Sequence, residues 1–106
     1  MTDAAQPHER RAHPRYHVRG VVALYHDGVS LSGQVENISA GGACLMLDNP
    51  LPVGALTRID IPLPAGGVAV TAAEVVRSQP GCTGLRFLWA GTDDPNRWLL
   101  QAALGG

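Results

Sequence analysis

Lysine is absent from the 106 residues, so every fixed positive charge is a guanidinium. A planar fork makes paired hydrogen bonds and stacks on flat rings, which a compact ammonium does not. Aromatic residues are scarce, with one Phe, two Trp and two Tyr. Together with a formal net charge of −1, this weighs against a platform for a nucleic acid polymer. No window approaches the roughly 18–20 continuous apolar residues that a membrane span needs. The opening stretch, MTDAAQPHERRAHPR, lacks the apolar stretch of a secretory signal, and a cytoplasmic location is expected. There are two cysteines, Cys44 and Cys82. The expectation for such a compartment is two reduced thiols, with Cys44 packed as a small hydrophobe; a disulfide is the alternative.

Catalytic patterns are missing as well. No nucleophile–base pair, metal-ligand spacing or P-loop occurs, so an enzyme is not expected. His13 and His17 stand four apart with His8 nearby, but that spacing converges on a metal only on a helix, and Pro14 disfavours one there. No metal site or cofactor is expected.

What remains is a chain sized for one domain, with 45% apolar residues and heavy punctuation by 13 glycines and eight prolines. Residues 1–14 are polar and irregular and read as a flexible arm; residues 15–106 read as the folded body. From Val18 onward the hydrophobic period is two. Val29 to Glu36 alternates most cleanly. Ile59, Ile61 and Leu63 alternate with Arg58, Asp60 and Pro62, and Leu85, Phe87 and Trp89 alternate with Arg86 and Leu88. Val18–Tyr25, Ala43–Leu47 and Val68–Val76 are rich in β-branched or apolar residues. Turn signals separate these runs, among them Asp27-Gly28, Gly41-Gly42 and Pro80-Gly81. Six short strands at this spacing predict an antiparallel barrel or sandwich. Asp94 before Pro95 predicts a helix start, Asn96–Leu104 the helix, and Gly105-Gly106 its stop. A helix this short must dock, and Trp98, Leu99, Ala102 and Ala103 are the expected docking residues. Phe87, Trp89, Tyr16 and Tyr25 are expected in the core or under the helix.

Charge is unevenly placed. Arg10, Arg11, Arg15 and Arg19 hold half of all basic residues, opposed locally by Glu9 alone. A short basic arm on a near-neutral body suits a compact anionic ligand. Two motifs share this logic. Arg11 and Arg15 are separated by three residues before the first strand. Asn37-Ile38-Ser39-Ala40-Gly41-Gly42 follows the second strand. The first alone is a weak signal; both in this order make a more demanding coincidence.

On these residues the sequence resembles the PilZ domain family, with its arginine-x-x-x-arginine arm and its aspartate-or-asparagine-x-serine-x-x-glycine turn. Gly84-Leu85-Arg86-Phe87 is similar to the family's closing strand. The resemblance implies a bacterial protein with a six-stranded antiparallel β-barrel, a flexible N-terminal arm and a short C-terminal helix. It further implies a receptor for cyclic di-GMP, bound by Arg11, Arg15, Asn37, Ser39 and Gly42, with Arg10 and Gly41 as secondary candidates. An arginine fork can donate two bonds to guanine O6 and N7 or stack on the base. Asn37 offers an amide to a guanine edge, and Ser39 a hydroxyl to a phosphate or guanine edge. The expected mechanism is ordering of the arm over the barrel, which signals to an unidentified downstream protein. The alternative is a non-binding structural adaptor acting through protein contacts. Arg19 and Arg86 are expected as surface strand residues, and the chain as a monomer or weak homodimer.

Overall fold

A computed structural model describes residues 20–105. The strands are β1 (Val21–His26), β2 (Val29–Ile38), β3 (Gly42–Leu47), β4 (Leu56–Pro62), β5 (Val68–Gln79) and β6 (Cys82–Leu88), followed by one helix, α1 (Pro95–Ala103). All neighbours pair antiparallel in the order β1-β2-β3-β6-β5-β4, and β1 closes on β4. The closed barrel settles the choice between barrel and sandwich. Arm residues 1–14, together with residues 15–19, lie outside the described residues.

The period-two runs place one face of each strand inward, as alternation requires. Val22, Leu24, Leu45, Ile59, Ile61, Ala69, Ala73, Val75, Leu85 and Phe87 fill the interior. Each fully buried Leu or Ile contributes about 1.5–3 kcal/mol relative to exposure. Asp27 and Gly28 connect β1 to β2 with φ of 50° and 77°. Positive φ at both central residues is the tight hairpin geometry that an Asp-Gly pair favours.

Two strands carry an extra residue. The β2–β3 register shifts between Val35 and Asn37, and the β5–β6 register between Val75 and Arg77. Each bulge breaks strict alternation, so Glu36 and Asn37 are both exposed, and Val76 and Arg77 likewise.

The helix docks differently from the expectation. Leu100 is fully buried, whereas Trp98 is 63% and Leu99 48% exposed. The orientation is set by Asn96, whose Oδ1 accepts from the Val70 N–H of β5 at 3.0 Å. Leu100, one turn on, shares that face. Tyr25 is also not in the core. It is exposed on β1 beneath Arg58, whose guanidinium lies 5.1 Å from the ring centroid. The Asp60 carboxylate, bonded to Arg58 at 2.9 and 3.0 Å, raises the arginine pKa further.

Asp94 caps α1 as its position before Pro95 predicts. Its Oδ2 accepts from Ala90 N–H at 3.1 Å and its Oδ1 from Asn96 N–H at 2.9 Å. These backbone donors, Ala90 first, hold its carboxyl below the ordinary aspartate range. A lowered folded pKa means that the stabilisation is present above the unfolded value and is lost as pH falls through the folded one. The melting temperature of the protein should therefore drop on acidification through this range, and Asp94→Asn should flatten that drop. Identical acid limbs for the two proteins in thermal melts would refute the cap's role.

Cys44 and Cys82, expected as separate thiols, are joined as a disulfide, with Cα atoms 5.8 Å apart. Both are half-buried on the outside of the barrel, so Cys44 is not a core residue. The pairing exists because β6 lies beside β3, a neighbour relation that links residues 38 apart in sequence.

Candidate functional site

The connection from β2 to β3 is a tight hairpin with Ala40 and Gly41 at its tip. The Ser39 N–H donates to the Gly42 carbonyl at 2.8 Å, and the Ser39 Oγ accepts from Gly41 N–H at 3.2 Å. A serine bonding two residues ahead is a local turn brace. The tip is pinned to the end of β6 in two places. Gly41 O accepts from Phe87 N–H at 2.9 Å, and Ala40 O accepts from the Trp89 indole N–H at 2.7 Å. Trp89 in turn meets the buried Phe87 edge to face, with centroids 5.5 Å apart and rings at 72°. The hairpin thus arrives at a fixed position on the barrel rim.

Gly42 opens β3 opposite Arg86 of β6. A Cβ there would overlap the Leu85 carbonyl oxygen, with the Leu85 carbonyl carbon at 3.2 Å and the Arg86 Cα at 3.5 Å. The neighbouring atoms are main chain and cannot swing aside. Of the two explanations for a glycine here, close backbone approach or positive φ, the structure selects the first, since Gly42 is not among the positive-φ residues.

Asn37 pairs with Cys44, Cys44 with Gly84, and Gly84 with Arg77. These four residues form one row across the outside of β2, β3, β6 and β5. Three strand gaps make the row about 14 Å long. Both ends are there because of the bulges, which turn Asn37 and Arg77 outward. Asn37 is exposed and makes no side-chain hydrogen bond within the described residues. Between the ends, Gly84 has no side chain, and the stem of Arg77 lies against it: a Cβ on Gly84 would meet Arg77 Cβ at 3.3 Å and Nε at 3.6 Å. Arg77 has no ion-pair partner among the described residues. Arg86, two residues along β6 on the same face, is bonded to Glu74 and is the surface strand residue expected.

Beyond this row the same outer surface dips into a depression of about 370 Å³ lined by Val21, Gln34, Met46, Asp48 and Gly81 among others. It adjoins the point where the chain enters β1. Such a face offers an amide, an exposed guanidinium and a braced hairpin around a low floor, an arrangement suited to a flat, hydrogen-bonding anion.

Of the residues read from the sequence, Asn37, Ser39, Gly41 and Gly42 are brought together in and beside one hairpin. Arg10, Arg11 and Arg15 lie outside the described residues. Arg77 was missed. It belongs to no recognised motif, and only the bulge before it aims it at the Asn37 row. No group of three or more His, Cys, Asp or Glu residues placed to hold a metal occurs among the described residues. No helix among them is long and apolar enough to cross a membrane.

A family model described as the PilZ domain matches residues 9–104. No curated protein sequence matches the chain at a significant level. Among solved structures, the chain is similar to the PilZ domain of CeSA from a cellulose-synthesizing bacterium. The TM-score is 0.65 at 18% identity, covering 81% of this chain and 92% of that one. At that identity the likeness establishes the shared fold.

Proposed function

Because the chain belongs to the PilZ domain family, whose members are in general receptors for cyclic di-GMP rather than enzymes, we propose that it binds this dinucleotide on the outer face of β2, β3, β6 and β5. Asn37 and Arg77 mark the two ends of the site, and the arm arginines Arg11 and Arg15 close over the ligand. The observation that carries the reading is the paired bulges, which aim an amide and a guanidinium with no ion-pair partner among the described residues outward in one row beside a rigid hairpin. A guanidinium fork fits guanine O6 and N7 or two phosphate oxygens, and its flat face fits a base.

In this reading Ser39 serves both the hairpin and the ligand. Its oxygen accepts within the turn, so it holds the hairpin that presents Asn37, while its hydroxyl proton faces the Gly42 carbonyl only at 3.5 Å and is free to turn to a phosphate. Ordering of the arm on binding would change the surface presented to a downstream protein. That ordering has an entropic cost, which moderates affinity.

Calorimetric titration with cyclic di-GMP tests the assignment. The parent should release or take up heat with saturation. Arg77→Ala should weaken binding by about 1–3 kcal/mol, the range for a lost charge-assisted contact. Arg86→Ala, which breaks the Glu74 pair outside the row, should change affinity by less than about 0.5 kcal/mol. Equal losses for the two arginines would remove Arg77 from the site. A parent with neither heat nor thermal stabilisation at high ligand concentration would remove the receptor function itself.

A further inference from the structure

The centre of the proposed face is occupied by sulfur. Cys44 lies in the row between Asn37 and Gly84, and Cys82 stands two residues before Gly84 on the same outward face of β6. The Cα separation of 5.8 Å falls within the roughly 4.4–6.8 Å that a disulfide spans. We infer that Cys44 and Cys82 form a reversible thiol–disulfide site in the floor of the ligand face, exchanging with low-molecular-weight thiols, and that its redox state sets ligand affinity. The coupling rests on the receptor reading; the exchange chemistry does not.

Three features separate this bridge from a structural staple. It joins β3 and β6, which are already hydrogen-bonded from Gly42–Arg86 to Leu45–Thr83, so it adds little to the topology. The interior is filled by apolar side chains without it. Both cysteines are half-buried on the outside rather than sealed in the core, and Cys82 directly follows the exposed turn residues Pro80 and Gly81.

The chemistry balances with thiols as the only co-reactant. A thiolate RS⁻ attacks Cys82 Sγ along the S–S axis and forms a mixed disulfide. Cys44 Sγ departs with the bonding pair and takes a proton. A second RS⁻ attacks the thiol-derived sulfur of the mixed disulfide, RSSR leaves, and Cys82 Sγ is protonated. Two electrons and two protons pass from two RSH to the protein, and RSSR is the oxidised product. Excess RSSR drives the same steps in reverse.

Affinity follows from what the bond holds. With the disulfide formed, the two sulfurs are held at bonding distance in the middle of the row, between the ends marked by Asn37 and Arg77. After reduction the two sulfurs retreat to van der Waals separation and carry S–H groups, so the floor between those residues rises and loosens. A flat ligand then meets a less complementary floor, and binding should weaken by about fivefold.

The experiment treats the full chain with oxidised or reduced glutathione. Each form is alkylated and weighed by mass spectrometry, and each is titrated with cyclic di-GMP. The expected result is no alkylation of the oxidised form, two alkylations of the reduced form, reversibility, and weaker binding by the reduced form. Cys44→Ser/Cys82→Ser and Cys44→Ala/Cys82→Ala variants should bind alike under both conditions; the second guards against a folding defect in the first. Thiols that stay fully alkylatable after oxidised glutathione would overturn the site. A switching pair with unchanged affinity would overturn the coupling. A switching pair in a protein that binds cyclic di-GMP in neither state would overturn the receptor reading and the coupling with it, while the exchange site stands.

Discussion

Gly42→Ala should cost the protein about 3 kcal/mol or more of stability, at the upper end of overpacking effects. For a domain of this size that corresponds to a melting temperature lowered by more than about 10 °C. The added methyl would collide with the Leu85 carbonyl and can be relieved only by parting β3 from β6. That separation also breaks the Phe87–Gly41 bond which pins the hairpin. Gly41→Ala is the control. A Cβ there meets only Ser39 Oγ, at an ordinary 3.8 Å, and Gly41 has no positive φ. It should melt within about 2 °C of the parent, as surface changes away from such features do. Circular dichroism melts of the two variants decide the matter. If they melt together, the final glycine of the Asn37–Gly42 motif is not explained by close packing, and a direct role against ligand would have to take its place.

The second large effect concerns binding. Arg11→Ala/Arg15→Ala should weaken cyclic di-GMP affinity by about a hundredfold, since each charge-assisted contact is worth about 1–3 kcal/mol. If the two arginines serve the ligand alone, ligand-free melting should stay within about 2 °C of the parent. Loss of affinity with unchanged melting would assign the arginines to recognition. Retained affinity would transfer recognition to the barrel face alone, with Arg77 as its guanidinium. The pair is informative alongside Gly42→Ala because the two experiments should divide one family motif set into a part that reads ligand and a part that shapes the barrel.

How far the sequence carried the reading depends on how local the signals were. The Asp27-Gly28 turn was legible because two residues determine its geometry. The Asp94 cap was legible for the same reason. The strands were legible wherever alternation ran unbroken, as in Val29 to Val35. The bulges were not, because an extra residue shows only against the partner strand, and a pattern such as Ala73-Glu74-Val75-Val76-Arg77 does not announce which residue is surplus. Arg77 was lost with them. The sequence reading extended the sixth strand through Trp89 and began it at Leu85, whereas β6 spans Cys82–Leu88. Trp89 instead leaves the ladder to hold the hairpin tip through its indole.

The helix shows a different limit. Its bounds, Pro95–Ala103, differ from the expected Asn96–Leu104 by one residue at each end. Its docking face was misjudged because the largest apolar residues, Trp98 and Leu99, attracted the choice. The face is decided by a polar contact, Asn96 to Val70, which no hydrophobic pattern reveals. The Cys44–Cys82 bridge was hidden similarly. Nothing in the order of residues says that the third strand will lie against the sixth.

Closure of the barrel constrains how any message leaves the molecule. Among the described strands each has a neighbour on both sides, so the sheet offers no bare rim of amides and carbonyls onto which a foreign strand could zip. Any protein that docked on the barrel would therefore meet side-chain relief, such as the exposed indole of Trp98, rather than extend the ladder, and its specificity would be written in shape and charge instead of main-chain pairing.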